Sequence, residues 1–298
     1  MRATVLFNRR LSPAYRHLGI AAAGFPPAFR AGEFLMVRPP WVGDPLLPRA
    51  YSIYRVSPAG PEGVSPPAQE PVIEILYKVV GKGTHTLSQM EPGKAVELLG
   101  PLGNGFSVPT RMTTAVLVAG GIGVPPIAAL AAEIGGGRGA ESREQGAESR
   151  GQRDGAAGES VGHHPPFPRL EVFLGGKTAE DILCAADFEA AGAILHVATE
   201  DGSLGTPGLV TDLLQPFLAG QGGRGTQVYA CGPQGMLEAV GRLAEAMAIP
   251  CELSLEANMA CGFGACMGCA VPVRGAGPRY KLCCMDGPVF KASEVVWG

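Results

Sequence analysis

The chain has 298 residues, 46% of them hydrophobic, with a formal net charge of -3. That is ordinary globular composition, long enough for two domains and an appendage, and it excludes the basic footprint of a nucleic-acid binder. The first ten residues, MRATVLFNRR, lack the apolar core of a signal peptide, and apolar runs such as 114–119 are too short to span a bilayer, so a soluble, cytoplasmic protein with no membrane partner is expected.

Residues 1–110 read as short β-like runs separated by Gly and Pro. Candidate strands are 3–7, 33–37, 52–56, 72–79 and 95–99, with few helical periods between them, which predicts an antiparallel barrel or sandwich. The Pro/Gly-rich 57–71 reads as an exposed loop. Arg49-Ala50-Tyr51-Ser52 offers a guanidinium fork suited to a pyrophosphate and an aromatic face suited to a flat ring system. Such residues also commonly just cover a barrel surface. Gly81-Lys82-Gly83-Thr84 is a glycine turn leading into a short helix, compatible with phosphate binding or with an ordinary turn.

From residue 111 the period changes. Strand 114–119, the turn Gly120-Gly121-Ile122-Gly123-Val124-Pro125-Pro126 and an Ala-rich helix form a βα unit. Strands at 170–174, 194–198 and 228–230 come next. A helix is expected to begin at the capping-box pattern Thr178-x-x-Asp181, and an amphipathic helix covers 234–248. Alternating strands and helices over 111–250 imply a doubly wound parallel sheet. Residues 135–168 carry a short duplication, GAESR at 139–143 and 146–150, and almost no large apolar residue; they are expected to be a disordered insertion, with His163 and His164 solvated at its end. The pair Glu200-Asp201 at the end of the third strand disfavours a 2′-phosphate, whereas Lys177 favours one.

Residues 251–298 hold most of the chemistry. Cys261, Cys266 and Cys269 have the C-x4-C-x2-C spacing that wraps a [2Fe–2S] cluster, and Gly262, Gly264 and Gly268 are expected to supply positive φ angles for the tight loop. Cys283 and Cys284 are adjacent. Neighbours in an extended chain point to opposite faces, so one of the two is expected to be the fourth ligand. A disulfide set is disfavoured by the expected reducing compartment, and structural zinc by the single C-x2-C knuckle.

The Arg49-x-Tyr51-Ser52 segment, preceded by Gly32-Glu-Phe-Leu-Met36, resembles the flavin motif of the ferredoxin–NADP reductase superfamily. The resemblance implies that Arg49, Ala50 (where proline is common), Tyr51, Ser52, Leu76, Tyr77, Lys78, Gly83 and Thr84 hold FAD. It implies equally that Gly121, Gly123, Cys231, Gly232 and Pro233 hold NAD. The 99–106 segment resembles the join between the two domains. The C-terminal pattern, with Cys284-Met-Asp286-Gly-Pro-Val-Phe290, resembles the electron transfer subunit of class 1B dihydroorotate dehydrogenase, and that resemblance selects Cys261, Cys266, Cys269 and Cys284 as the ligands.

The expected fold is multidomain, of mixed α and β. An antiparallel β-barrel flavin domain spans 1–110, an α/β doubly wound nucleotide domain 111–250, and a small C-terminal [2Fe–2S] domain 251–298. The family resemblance further implies a partner, an FMN-containing catalytic subunit that oxidises dihydroorotate, in a heterotetramer with two copies of each. Electrons would pass from it through the cluster and FAD to NAD+, and Phe263 and Met267 are candidate contacts with that partner. Two other functions fit parts of the pattern. One is the flavin subunit of a sulfhydrogenase or a ferredoxin:NADP oxidoreductase; the other is a zinc-bearing redox sensor without catalysis.

Overall fold

The structure, a computed structural model, describes residues 1–39, 47–58, 60, 63–64, 66, 70–148, 168–221, 225–275, 277 and 279–297, with backbone alone at 137–148. The first half is a sheet of β1 (Arg2–Arg10), β2 (Tyr15–Ala21), β3 (Phe34–Arg38), β4 (Arg49–Ser52), β5 (Arg55–Ser57), β6 (Val72–Lys78) and β7 (Ala95–Leu102), with helix α1 (Lys82–Ser88) between the last two strands. Every pairing in it is antiparallel. Along β1 the apolar residues alternate: Ala3, Val5 and Phe7 are buried, as a strand with one face on a core requires. β2 carries Gly19 under the Phe7 ring, where a Cβ would lie 2.0 Å from a ring carbon. The buried Glu74 of β6 is paired with His17 Nε2 at 2.7 Å.

The order β4-β3-β7-β1-β2-β6-β5 begins and ends on consecutive segments of the chain. The strand expected over 52–56 is in fact two. At the break, Ile53 N donates to Glu33 O beside β3, whereas Tyr54 N donates to Glu74 O in β6. One bent segment therefore changes partner and carries both ends of the sheet.

The second sheet is built from β8 (Thr114–Gly120), β9 (Arg169–Gly176), β10 (Ile194–Thr199), β11 (Thr206–Pro207), β12 (Thr226–Cys231), β13 (Cys251–Ser254) and, after the short pair β14 (Ala270–Pro272) and β15 (Tyr280–Leu282), β16 (Val289–Lys291). Helices α2 (Val124–Glu148), α3 (Ala185–Ala190), α4 (Val210–Gln221) and α5 (Gln234–Ala246) connect them. The order is β11-β10-β9-β8-β12-β13-β16, parallel except for the last pairing. β8 is buried along its whole length because helices cover both faces. Val116 and Val118 join the core with Leu214 and Val240 of α4 and α5, while Ala115 and Leu117 join that with Ile127 and Leu130 of α2.

Three further expectations change. The capping box at Thr178 forms, with Asp181 Oδ2 accepting from Thr178 N and Lys177 N, but it closes a single 3-10 turn, and α3 starts only at Ala185. The other Asp181 oxygen is engaged by Tyr15 and Lys78 from the first sheet, which fixes the turn. The disordered insertion expected from residue 135 is helical backbone through Glu148. Gly135 is a packing position there: a Cβ would lie 2.6 Å from Ala191 O. Residues 149–167, with His163 and His164, lie outside the described residues. Finally, β13 and β16, expected in the third domain, extend the second sheet.

Candidate functional site

A cavity of about 1020 Å³ runs from the Arg49 strand and the Gly81–Thr84 turn, past the carboxyl ends of β12 and β13, to Gly268 in the cysteine loop. Arg49, Ala50, Tyr51, Ser52, Leu76, Tyr77, Lys78, Gly83 and Thr84 all line it, as does Cys231. The volume is at the upper end of small-molecule sites, as a dinucleotide cofactor needs.

The arginine is held from behind. Its Nη1 donates to Leu47 O at 2.9 Å, and its guanidinium rests so close to Gly83 that a Cβ there would lie 3.3 Å from Nε. Thr84 Oγ1 accepts from Val80 N and Gly81 N and donates to Gly81 O, so its hydroxyl is spent on the start of α1. Tyr51 meets Tyr77 edge-to-face with centroids 5.8 Å apart, and burial foremost raises both phenols, that of Tyr77 to about 12. Tyr77 Oη donates to Asn8 Oδ1, away from the cavity, while Lys78 Nζ donates to Asp181 Oδ1 at 3.2 Å. The polar ends of Tyr77 and Lys78 are thus already engaged in the protein, and these positions present mainly their stems and backbone to the cavity.

The glycine turn after β8 lies beside β12, where the strand order reverses and α/β sheets bind ligands. Gly121 is left-handed, φ +51. At Gly123 a Cβ would lie 2.4 Å from the Cys231 carbonyl, and at Gly232 one would lie 3.0 Å from Gly120 N. The glycines therefore let the two turns touch. Pro233 caps α5. Cys231 is buried, and desolvation raises its thiol pKa. Of the acidic loop, Asp201 accepts from Ser203 N and Oγ, which lowers its carboxyl pKa, while Glu200 is exposed.

In the cysteine loop Cys261 interacts with Cys266, and Cys284 with Cys269 and, more weakly, with Cys261. A [2Fe–2S] core takes two thiolates per iron, four in all, as many as Cys261, Cys266, Cys269 and Cys284 offer. Cys266 N points at Cys261 Sγ at 3.4 Å, and Gly268 N at Cys266 Sγ at 3.5 Å. Hydrogen bonds from Phe263 N first, then Cys266 N, bring the Cys261 thiol down to about 6, which favours the metal-binding thiolate. Burial foremost pushes Cys284 up to about 11. Four neighbouring thiols, with backbone N–H groups aimed at sulfur, fit the cluster.

Two details differ from expectation. Gly262 and Gly264 take φ +82, but the third left-handed residue is Met267 (φ +59), and Gly268 instead contributes its N–H. Cys283 and Cys284 lie in a turn after β15, closed by Asp286, whose Oδ2 accepts from Leu282 N, rather than in extended chain. The turn still separates them: Cys284 faces Cys269, and Cys283 Sγ donates to Leu255 O.

Glu256 escaped notice in the sequence. It lines the cavity, open to the solvent within it yet enclosed by protein on most sides, and desolvation raises its pKa. Its signal was position, directly beyond the carboxyl end of a parallel strand, visible only once β13 is placed in the second sheet.

Fold and site together define a protein of ferredoxin-reductase architecture with an iron–sulfur module at its C-terminal end. The structure resembles that of an NADH-dependent reduced ferredoxin-NADP oxidoreductase (TM-score 0.72, 22% identity, 99% of this chain and 90% of that one). It also resembles the ferredoxin reductase of carbazole 1,9a-dioxygenase (TM-score 0.59, 19% identity, 84% and 66%). Residues 256–296 match the iron–sulfur cluster binding domain of dihydroorotate dehydrogenase B. Relatives named "dihydroorotate dehydrogenase B (NAD(+)), electron transfer subunit" match nearly throughout. That of Desulforamulus reducens is 35% identical over 267 residues (89% of this chain, 86% of the relative). That of Caldanaerobacter subterraneus subsp. tengcongensis is 33% identical over 298 residues (100% and 98%), and that of Bacillus caldolyticus 35% over 301 (99% and 98%). The chain belongs to the family of dihydroorotate dehydrogenase B (NAD(+)) electron transfer subunits.

Proposed function

We propose that this chain is the flavin and iron–sulfur oxidoreductase subunit through which electrons taken from dihydroorotate by a catalytic partner subunit reach NAD+, in pyrimidine biosynthesis. One observation carries the proposal: a single cavity is lined by the arginine strand, the glycine turn at Gly83, Cys231 and the cysteine loop. When bound, a flavin exchanges electron pairs with nicotinamide and single electrons with a cluster, so a cavity touching both neighbours suits it. The family supports this reading over a sulfhydrogenase or ferredoxin:NADP oxidoreductase subunit, because the NADH-dependent oxidoreductase neighbour shares the fold at 22% identity.

In this proposal residues 1–110 are a closed FAD-binding barrel, supported by the bent segment that joins the sheet's two ends. Residues 111–250 bind NAD and residues 251–298 carry the cluster. Arg49 holds the pyrophosphate, Ala50, Tyr51 and Ser52 pack along the flavin, Leu76, Tyr77 and Lys78 line its remaining side, and Gly83 and Thr84 approach the phosphates. Gly121, Gly123, Cys231, Gly232 and Pro233 shape the nicotinamide end. Cys261, Cys266, Cys269 and Cys284 hold two irons. The partner carries FMN, and two copies of each chain assemble in the cytoplasm. Among the described residues no helix is long and apolar enough to cross a membrane.

The test is a visible spectrum with flavin, iron and acid-labile sulfide analysis of the purified chain, then dihydroorotate-dependent reduction of NAD+ once the partner is added. Anaerobically reconstituted protein that binds neither iron nor sulfide overturns the proposal.

A further inference from the structure

The thiol of Cys283 has no place in the proposed ligand set, yet its bonds run to both sides of the electron path. It is fully buried, and its Sγ donates to Leu255 O at 3.3 Å. Leu255 is part of the cavity wall, between Ser254 and Glu256 and close to Cys231. The Cys283 N–H donates to Cys269 O at 3.0 Å, and its carbonyl carbon is bonded to the nitrogen of Cys284. Cys283 is therefore attached to both Cys269 and Cys284 and, through its side chain, to the wall against which a flavin would lie. An apolar residue fills a similar space but offers no donor to the Leu255 carbonyl, and a buried acceptor that loses its donor is left poorly satisfied.

We infer that Cys283 is a positioning residue for single-electron exchange between flavin and cluster. Its S–H···O bond fixes the separation between the Cys269/Cys284 end of the cluster and the cavity wall, and it completes a bonded route from Cys284 through Cys283 to Leu255. The inference rests on the proposed electron-transfer function. Each transfer takes one electron from the reduced flavin and turns one ferric iron ferrous, or the reverse; the thiol keeps its proton and is neither oxidised nor reduced.

The test uses the full chain loaded with FAD and cluster. It is reduced anaerobically with NADH and freeze-quenched, and the growth of the reduced-cluster paramagnetic signal is tracked in the parent, Cys283→Val, Cys283→Ala and Cys283→Ser. The valine and alanine variants are expected to keep their iron, sulfide and flavin and to fill the signal roughly two- to threefold more slowly, the weight of one weak buried hydrogen bond. Serine, which restores a donor, is expected to recover the parent rate. Valine fills the space of the thiol, so slowing in that variant does not come from a cavity. Parent-like rates in valine and alanine overturn the inference, as does a serine variant as slow as valine. Loss of iron in any variant makes Cys283 a ligand and overturns it too. A parent chain that takes up no flavin or cluster instead sinks the proposed function, which separates the two failures.

Discussion

Tyr15 and Asp181, 166 residues apart, are joined by a hydrogen bond of 2.6 Å from the phenol to a carboxylate oxygen, and Lys78 Nζ reaches the same oxygen at 3.2 Å. The bond latches the first sheet to the second beside the cavity. Burial works against the Asp181 charge, but hydrogen bonds from Tyr15, Lys78 and Lys177 N outweigh it and hold its pKa below the ordinary value. Burial and the bond to Asp181 raise the phenol to about 12.

Tyr15→Phe is expected to lower the unfolding free energy by about 1.5 kcal/mol, the low end for a hydrogen bond to a charged group, since Lys78 remains as a partner. Urea unfolding checks the loss. The two shifts set the sign with pH. The Asp181 contribution is present above the ordinary carboxylate pKa and is lost as pH falls through the lowered value. The Tyr15 contribution is full below pH 10.0 and is lost as pH rises to about 12. The variant is expected to lack that alkaline decline.

Arg49→Ala removes the guanidinium that rests against Gly83 in the cavity wall. FAD affinity is expected to fall by roughly 10- to 100-fold, the weight of hydrogen bonds to a charged group, with little change in the apo-protein's melting temperature. Flavin titration of the apo-protein measures it. Unchanged affinity removes Arg49 from the flavin site.

Cys284→Ser is expected to lose the visible absorption of the cluster and most of its iron, while Cys283→Ser keeps both. Iron analysis of the two variants decides the fourth ligand, and the reverse result exchanges their roles.

Gly123→Ala would place a methyl group 2.4 Å from the Cys231 carbonyl, a collision with backbone that no rotamer relieves. A loss of about 2 kcal/mol or more is expected, with weakened nucleotide binding because the two turns must part. Thermal unfolding with and without NAD reports both effects.

Glu256, whose pKa burial raises, is expected to impose a titration above the ordinary glutamate value on flavin reduction by NADH. Glu256→Gln should flatten the pH profile there. A profile that keeps the same inflection assigns it to another group.

The parallel strands and the cysteine loop were legible because local pattern governs them: β8 is apolar throughout, and C-x4-C-x2-C is a spacing within one loop. What long-range contacts decide was not legible. β2 went unseen because Gly19, placed by the ring of Phe7, interrupts its pattern. The break between β4 and β5 depends on Glu33 and Glu74, which accept from Ile53 and Tyr54 across the sheet. At Gly135 a residue that looks like a helix breaker is needed because Ala191 packs against it. The nine positions proposed for the flavin came from a family resemblance, yet nothing local announced that the amine of Lys78 is held by Asp181.

The cysteine loop leaves the second sheet at β13 and returns to it at β16, and those two strands pair with each other. The irons would therefore be anchored, through both ends of the loop, to the same slab that carries the glycine turn. Some redox chains rely on a carrier that commutes between stations; here the loop is tied to the sheet at both ends. Cutting it before Cys251 would leave β12 a raw edge rather than yield a working reductase, so the module cannot be shed or exchanged as a separate cassette.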